Sequence, residues 1–436
     1  MKFYRSAVAL CLTVLSLMLG PGLMAQNLNR SNLTTSPYNR YGYGRMGSTG
    51  NTITRSMGDV GFAVRSNQYT NLSNPASLTA IDTLTMIFTV GIDGQYGTYT
   101  EGDSRDNSWD AGFSGMSFQM PLWRNFAMSL SFSPYSMVGY SYGTSDSVAI
   151  ASPTVKHDTL SYSGTHSGVG GINNLMIGLG WRAFHNKRME LNLGANVGWL
   201  FGTIEHDATL TTSSQASSTY VRYNASVNGL YLELGAQYTY HIDARQSVTI
   251  GGIYTPKLNM SVDTEVLKYS ADSISLSNEL RGNDVKLPMR YGAGISYNIA
   301  RKLTVSAEAE VTKWSEVPGL NTEMRAEENL FKDAKRMAAG VEYQPKVLTN
   351  HYFMACRYRA GFSAKSSYMK LGTASLREYA ANLGMSMPVN KRSSLDWSVG
   401  YSTLRPSNGS MVKENYLTFS LGLTFNEMMF FRGRLR

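Results

Sequence analysis

The sequence predicts an all-β protein, a transmembrane antiparallel β-barrel of about 14 strands. Three observations carry this prediction. After residue 25 the chain of 436 residues contains no run of about 18 apolar residues, which excludes membrane-spanning helices. Many segments instead alternate apolar and polar residues over the roughly 9–11 positions that a tilted strand needs to cross a bilayer. Short and long connections between these segments also alternate along the chain, as they do in outer-membrane barrels.

The last segment displays the alternation most clearly. Residues 417–425 read Leu-Thr-Phe-Ser-Leu-Gly-Leu-Thr-Phe, so every second side chain is apolar and those between are small or polar. A period of two with one apolar face predicts a half-buried strand. The composition agrees, because 27 tyrosines and 41 glycines accompany an ordinary 42% of hydrophobic residues.

Fourteen such segments follow one another, at 83–95, 110–121, 125–142, 170–184, 189–205, 219–241, 246–266, 273–299, 302–315, 334–344, 351–366, 376–388, 393–405 and 414–427. An even number places both ends of the barrel on one side of the membrane. Turns are short at 123–125, 185–188, 243–245, 300–302 and 390–392, and connections are long at 143–169, 206–218 and 316–333. A secreted array of soluble β-sandwiches, the alternative, gives no reason for this asymmetry.

Residues 1–25 are predicted to be a secretion signal that is cleaved from the mature chain. Two basic residues precede an apolar run at 7–19, and Ala25 is a small residue suited to cleavage before Gln26. The apolar run is too short to span a membrane. Cleavage leaves Cys356 as the single cysteine, so neither an internal disulfide nor a cysteine metal site is expected.

Residues 26–82 are the second predicted region, an N-terminal extension ahead of the barrel at 83–436. The stretch 55–81 is interrupted by glycines and a proline, yet it is too apolar for a free tail. Its run of small residues leads to Asn74-Pro75-Ala76 and then to the first barrel strand, an order that resembles the hatch of the long-chain fatty-acid transporter (FadL) family. The resemblance implies that this region is a hatch or plug inside the lumen and that Asn74, Pro75 and Ala76 take part in gating.

The resemblance to FadL-type proteins covers most of the mature chain. Leu287-Pro288 opens a strand, a Tyr-Gly-Ala-Gly run follows at 291–294, and the next strand ends at Trp314, which is similar to a hairpin of that family. The stretch SPYNRYGYG at 36–44 is a departure, because the founding transporter lacks it. The family implies a passive route: a ligand is captured at outer loops, enters an apolar pocket and leaves sideways into the bilayer after the hatch shifts.

Charged residues of the strands fall on the face opposite the apolar one, so they are predicted to point into the lumen. This sorting is required physically, because Lys or Arg on the lipid face near mid-membrane costs about 2–4 kcal/mol. Arg290, Arg357 and Arg359 belong to this set. Two roles are open for them: bidentate recognition of a ligand carboxylate, or ion pairs that anchor the hatch in a wet interior.

The third predicted strand contains a proline at position 134. Proline has no N–H to give to the ladder, and a closed barrel has no free edge, so a bulge or local break is predicted there. FadL-type barrels resemble this in having a kinked third strand that opens a gap toward the lipid. The resemblance therefore implies a lateral gate at Pro134, Tyr135 and Met137, and an ordinary bulge near the barrel rim is the alternative.

Other classes of function lack support in the sequence. No histidine is placed by strand spacing beside a serine within a strand, so the protein is not expected to be an enzyme. No His-x-x-x-His spacing and no phosphate-binding glycine loop occur, so neither a metal nor a cofactor is expected. The net charge of +9 is scattered rather than blocked, which does not indicate a nucleic-acid partner.

The sequence thus predicts an exported barrel in the outer membrane of a Gram-negative bacterium, surrounded by outer-membrane lipid. The leading functional hypothesis is passive uptake of hydrophobic, fatty-acid-like small molecules, gated by the hatch and released laterally. The alternative is a barrel that transports nothing and acts as a scaffold or secretion-system component, with a protein partner at its extracellular loops.

Overall fold

A computed structural model describes residues 36–48, 50–150, 158–212, 218–270, 273–280, 285–320, 330–346, 351–372, 374–390, 392–408 and 411–428. The predicted signal at 1–25 lies outside the described residues. The strands of the described part are β1 (Arg45–Met46), β2 (Thr85–Glu101), β3 (Ser104–Trp123), β4 (Phe126–Ile150), β5 (Asp158–His185), β6 (Met189–Thr212), β7 (Ser218–His241), β8 (Gln246–Thr255), β9 (Asn259–Ser270), β10 (Ser273–Leu280), β11 (Val285–Lys286), β12 (Arg290–Ile299), β13 (Leu303–Thr312), β14 (Ala334–Tyr343), β15 (Arg357–Leu371), β16 (Ala374–Pro388), β17 (Ser394–Pro406) and β18 (Lys413–Met428). Its helices are two short α-helices, α1 (Thr52–Ser56) and α2 (Tyr352–Ala355), and the 3₁₀ helices Pro37–Arg40, Pro75–Ala80 and Trp314–Glu316.

Among the described strands, β2–β8 and β12–β18 close into an antiparallel barrel of fourteen. The ring closes at two places. β18 pairs with β2 from Met428↔Thr85 to Lys413↔Thr100. β8 pairs with β12 from Gln246↔Ile299 to Thr255↔Arg290. The predicted fold class is thereby confirmed.

The two faces of the wall differ in polarity as the alternation predicted. Leu421 on β18 is 50% exposed, whereas the adjacent Ser420 is 5% exposed. Because neighbouring side chains of a strand point to opposite faces, the apolar set lies outside and the polar set inside. An outer band of this kind is typical of a barrel in lipid. The part of the chain that the structure describes contains no helix with the length and hydropathy of a membrane span.

Two predicted boundaries were wrong around the connection between β8 and β12. The segments 246–266 and 273–299 were each expected to be one strand, but β8 ends at Thr255 and β12 begins only at Arg290. β9 and β10 lie between them and pair with each other, and β9 also pairs with β7. These extra strands are extended like the wall strands, so their side chains also alternate with a period of two, and periodicity alone could not separate them from the wall.

The connection at 143–169 also differs from the prediction of a long loop. β4 continues to Ile150 and β5 begins at Asp158, in a paired register from Ile150↔Asp158 onward. Most of the expected loop is therefore a hairpin that extends the wall. Residues 143–147 are small or polar, so this part of the strand has no apolar face. The alternation of apolar and polar residues that predicts a strand is therefore missing there.

Residues 36–82, here called the inner segment, pack against inward-facing side chains on several sides of the barrel. The 3₁₀ helix Pro75–Ala80 contacts β4 to β7, and α1 contacts β15 to β18. Ile53, Met57 and Val60 are buried together with Ala338 of β14. The inner segment therefore joins parts of the wall that are distant from one another.

Candidate functional site

The 3₁₀ helix Pro75–Ala80 begins at a capped position in the inner segment. Asn74 Oδ1 accepts a hydrogen bond from the Ala76 N–H at 3.0 Å, which satisfies one of the free donors of the first turn. Proline at the first helical position has no N–H to leave unpaired. Asn74 Nδ2 donates to the Phe62 carbonyl at 2.7 Å, so one side chain joins two parts of the inner segment.

The same asparagine holds the helix against β7 and β8. Its Nδ2 also donates to the carbonyls of Ala236 and Gly252, at 3.2 and 3.3 Å. Two wall glycines permit this close approach. A Cβ at Gly235 would lie 2.1 Å from Asn74 Oδ1, and one at Gly194 would lie 2.4 Å from the backbone of the helix. Sequence reasoning missed these glycines, although inward-facing glycine in a strand often marks the close approach of another backbone.

Arg65 ties the inner segment to β6 and β7. Its guanidinium donates to Glu190 at 2.7 Å and to Gln237 at 3.0 Å. Burial lowers the pKa of Arg65 to about 10, and Glu190 opposes that shift. The side chain thus remains charged at neutral pH. Glu190 also pairs with Arg182 at 3.2 Å, so the carboxylate is shared by two cations.

Glu308 on β13 receives the backbone of the inner segment. Its carboxylate accepts hydrogen bonds from the N–H groups of Gly61 and Phe62 at 2.7 and 2.9 Å, and it also pairs with Arg336. Two guanidinium groups lie near the Phe62 ring centroid, that of Arg290 at 5.8 Å and that of Arg336 at 5.5 Å. Both distances suit cation–π attraction, so the ring and the carboxylate fix the same turn.

The three arginines predicted to line the lumen each have a side-chain partner. Arg290 pairs with Glu233 at 3.1 Å and with Glu310 at 2.8 Å, Arg359 pairs with Glu342 at 2.6 Å, and Arg357 donates to Gln344 at 3.1 Å. Arg290 borders the cavity described next. Arg357 and Arg359 lie at the start of β15, beside the short turns, and do not border it.

A cavity of about 380 Å³ lies between the inner segment and the wall. Its apolar lining includes Met46, Tyr135, Met137, Tyr231 and Tyr368, and its charged lining includes Arg55, Asp59, Asp93, Arg290, Glu310 and Arg336. The volume is within the range of small-molecule sites, and the lining combines aromatic and methionine side chains with many charged groups. Among the described residues, no group of three or more His, Cys, Asp and Glu could hold a metal ion.

The wall is interrupted between β3 and β4, next to the cavity. The two strands pair from Trp123↔Phe126 to Met116↔Phe132, and no described residue beyond that point pairs across them although both strands continue. On the opposite edge of β4, the register with β5 shifts between Pro134 and Ser136. Such a shift is a β-bulge, which bends the strand and disrupts the ladder locally. β4 therefore separates from β3 directly before the predicted gate residues.

The inner segment occupies the edge of β4 that β3 leaves. β1 pairs with β4 through Arg45↔Met137 and Met46↔Ser136, and the Gly47 N–H donates to the Tyr135 carbonyl at 2.8 Å. Gly44 has φ +80°, and a Cβ there would lie 2.3 Å from the Met137 carbonyl. This contact was not predicted, although the glycines at 42, 44 and 47 were a signal for close backbone approach.

Comparison with known proteins places the barrel in a recognised fold. The chain is similar to the CymD monoaromatic hydrocarbon channel (TM-score 0.55, 14% identity, 88% of this chain and 98% of that chain covered). It is similar to a Pseudomonas aeruginosa FadL homologue (0.58, 15%, 88% and 99%) and to the Pseudomonas putida toluene transporter TodX (0.53, 14%, 88% and 99%). At these identities the likeness shows a FadL-type fold alone.

Sequence comparison adds one positive result. A family model described as BamG matches residues 8–435. No curated protein sequence matches the chain.

Proposed function

The chain belongs to the BamG family, and we propose that it is an outer-membrane channel for passive uptake of hydrophobic small molecules. In this proposal the inner segment gates the channel, and the ligand leaves laterally between β3 and β4. One observation supports this most. Tyr135 and Met137 line the cavity of about 380 Å³ and also lie on β4 where its pairing with β3 has ended. A ligand in the cavity would be separated from lipid by side chains and the inner segment, not by a continuous ladder.

The lining of the cavity supports a ligand that is mainly apolar with one polar end. Aromatic and methionine side chains offer dispersion contacts, while Arg290 borders the same space and suits a carboxylate. Because Arg290 already pairs with Glu233 and Glu310, a ligand acid would have to compete for it. Two of the structurally similar proteins, a monoaromatic hydrocarbon channel and a toluene transporter, support a hydrophobic class of ligand.

In this proposal residues 1–25 are the cleaved signal, 26–82 the hatch and 83–436 the barrel. The hatch has a fixed end and a moving end. Asn74, Pro75 and Ala76 hold the fixed end, because the hydrogen bonds and glycine contacts of that turn are short and numerous. The moving end is the stretch around β1, whose ladder with β4 is short: two paired positions and one further hydrogen bond, from the Gly47 N–H to the Tyr135 carbonyl.

The gate can be tested with a reversible disulfide between β1 and β4, here called the lock. In a Cys356→Ser background, Met46→Cys with Ser136→Cys places two cysteines at directly paired positions, and the Cα spacing of about 4.5–5.5 Å between such residues is within the range of a disulfide. We expect oxidation to reduce uptake of a hydrophobic fluorescent probe into proteoliposomes about tenfold, because the moving end can no longer leave β4, and a reductant to restore it. The matched control is Thr239→Cys with Thr249→Cys, which joins two wall strands at a paired position. Equal uptake by the oxidised and reduced lock would overturn this gate.

The second candidate is a non-transporting scaffold with a protein partner at the extracellular loops. The observation in its favour is that the inner segment is held by ion pairs on different sides of the lumen: Arg45–Glu378, Arg55–Asp93 and Arg65–Glu190. If the inner segment fills the lumen and ion pairs hold it to the wall, the barrel can serve as a scaffold without a transport path. Failure of both the wild-type protein and the reduced lock to carry any hydrophobic probe would favour the scaffold over the channel.

A further inference from the structure

A row of cationic side chains crosses the barrel on one rung of paired residues. Ser366 on β15 pairs with Arg377 on β16, which pairs with Arg405 on β17. The β17–β18 register ends at Leu404↔Glu414, so the next position places Arg405 beside Lys413. The rung continues through Lys413↔Thr100 and Thr100↔Arg105. Across these strands it carries four cations and no acid.

These cations face outward, away from the lumen. Arg377 and Arg405 are exposed, as are Tyr379 and Tyr401, which lie two and four residues away on the same faces of their strands. The acids that alternate with the cations are buried: Glu378 is 8% exposed and Glu414 is 0% exposed. Near this rung, β16 and β18 therefore sort charge by sign, with the acids inside and the cations outside.

Two lysines widen the row into a patch beside Arg377. Lys332 and Lys370 flank the bridge Phe331↔Met369, and both of these partners are buried. Burial lowers the pKa of Lys332, and the positive charges of Arg377 and Lys370 lower it further. Lys332, Lys370, Arg377 and Arg405, here called the cationic patch, form no ion pair within the part of the chain that the structure describes.

The position and the charge of the patch together point to one kind of partner. Like charges directly opposite each other destabilise a strand pair, so Arg377↔Arg405 without an acid lacks internal compensation. Exposed tyrosines form the girdle at the membrane interface of such barrels, and the patch lies beyond Tyr379 and Tyr401 on the side away from the short turns. Arg377 lies two residues, about 7 Å, beyond Tyr379, and a position just beyond the girdle is at the level of the lipid headgroups.

We propose that the cationic patch binds the phosphate groups of a phosphorylated glycolipid in the outer leaflet of the membrane. Arginine holds phosphate oxygens in bidentate geometry, and the flanking lysines add point charges. The patch lies on the convex outer wall, where a soluble anion is screened by salt but a lipid is already confined beside the protein. This binding is independent of transport through the lumen.

The test uses the purified full-length barrel and phosphorylated lipid A in detergent. We expect Arg377→Gln with Arg405→Gln to weaken binding about tenfold or more, because each cation near a lipid surface adds to the attraction. Arg377→Lys with Arg405→Lys keeps the charge and should retain most of the binding. The matched control, Lys187→Gln with Arg188→Gln, removes two exposed cations at the opposite rim and should bind as the wild type does. Heat-resistant migration in gels checks that every variant is folded.

Two further binding measurements distinguish a lipid phosphate from free inorganic phosphate. Dephosphorylated lipid A should bind the wild type no better than phosphorylated lipid A binds the glutamine variant, and millimolar inorganic phosphate should not displace the lipid. Equal binding of both lipids, or equal binding by the wild type and the folded glutamine variant, would overturn the proposal. Full displacement by inorganic phosphate would also overturn it, because the patch would then be a site for a free anion.

Discussion

The carboxylate of Glu308 accepts a hydrogen bond from the backbone N–H of Phe62 at 2.9 Å, across 246 residues of sequence. A second hydrogen bond, from the Gly61 N–H at 2.7 Å, reaches the same oxygen. An ionised carboxylate that receives two backbone donors in a buried place forms charge-assisted bonds, which are about twice as strong as neutral ones. These two hydrogen bonds therefore link the barrel wall to the turn at Gly61 and Phe62 of the inner segment.

We expect Glu308→Gln to loosen the inner segment without unfolding the barrel. The amide is uncharged and presents a donor toward backbone donors, so a buried N–H or the Arg336 guanidinium loses its partner, at about 1–3 kcal/mol. Conductance across planar bilayers should rise several-fold while heat-resistant migration is kept. Glu265→Gln, at an exposed side chain of β9, is the control and should conduct as the wild type does. Unchanged conductance in Glu308→Gln would show that the contact is not needed to seat the segment.

Gly235→Ala should displace the Asn74 turn. The new Cβ would lie 2.1 Å from Asn74 Oδ1, far inside van der Waals contact, so the inner segment must move away from β7. Gly252→Ala is the matched control, because its Cβ would meet only the Gly292 carbonyl at 3.7 Å. We expect altered uptake and raised conductance in Gly235→Ala alone. The same behaviour in both variants would mean that the glycine cradle does not position the turn.

Asn74→Ala combined with Pro75→Ala removes the cap and the preset backbone of the 3₁₀ helix. The loss of a cap costs about 1 kcal/mol, and the wall contacts of Asn74 Nδ2 are lost as well. We expect the barrel to stay heat-resistant and in the membrane while ligand uptake or pore leakage changes. If the folded barrel is lost instead, the motif serves folding and not gating.

Pro134→Val should restore a donor and a β-branched residue at the break in β4. We expect the gap toward β3 to narrow and uptake of a hydrophobic probe to slow, with no loss of barrel stability. Pro121→Val is the control, since Pro121 lies on β3 where that strand is still paired with β4, opposite Ala127. Uptake that falls equally in both variants, or in neither, would remove the lateral route at Pro134.

Accessible tags can test the topology. A tag within 143–169 or 316–333 should be reached by antibody on intact cells, because these connections lie at the end of the barrel away from the short turns. A tag at 390–392 should be hidden until the outer membrane is permeabilised. Equal labelling of all three positions on intact cells would contradict this orientation.

Local patterns in the sequence were enough to predict the strand type, the number of wall strands and the face on which the alternating side chains lie. Alternation over 417–425 is enough to assign Leu421 to the outside and Ser420 to the inside, because the pleat places successive side chains on opposite faces. The same parity assigned Glu308 and Arg336 to the lumen, since a charge on the lipid face is too costly. A proline within a wall strand likewise predicted the bulge at Pro134, because the missing N–H is a local property.

Which of these groups meet could be read only from the folded barrel. That Glu308 receives the Phe62 N–H, that Gly235 admits Asn74, and that β1 covers the β4 edge depend on where a closed ring brings distant strands. A period of two encodes the face of a residue and carries no information about its partner across the lumen. The bounds of β9 and β10 could not be predicted for the same reason. Side chains alternate with a period of two both in strands that cross the membrane and in strands that extend beyond it.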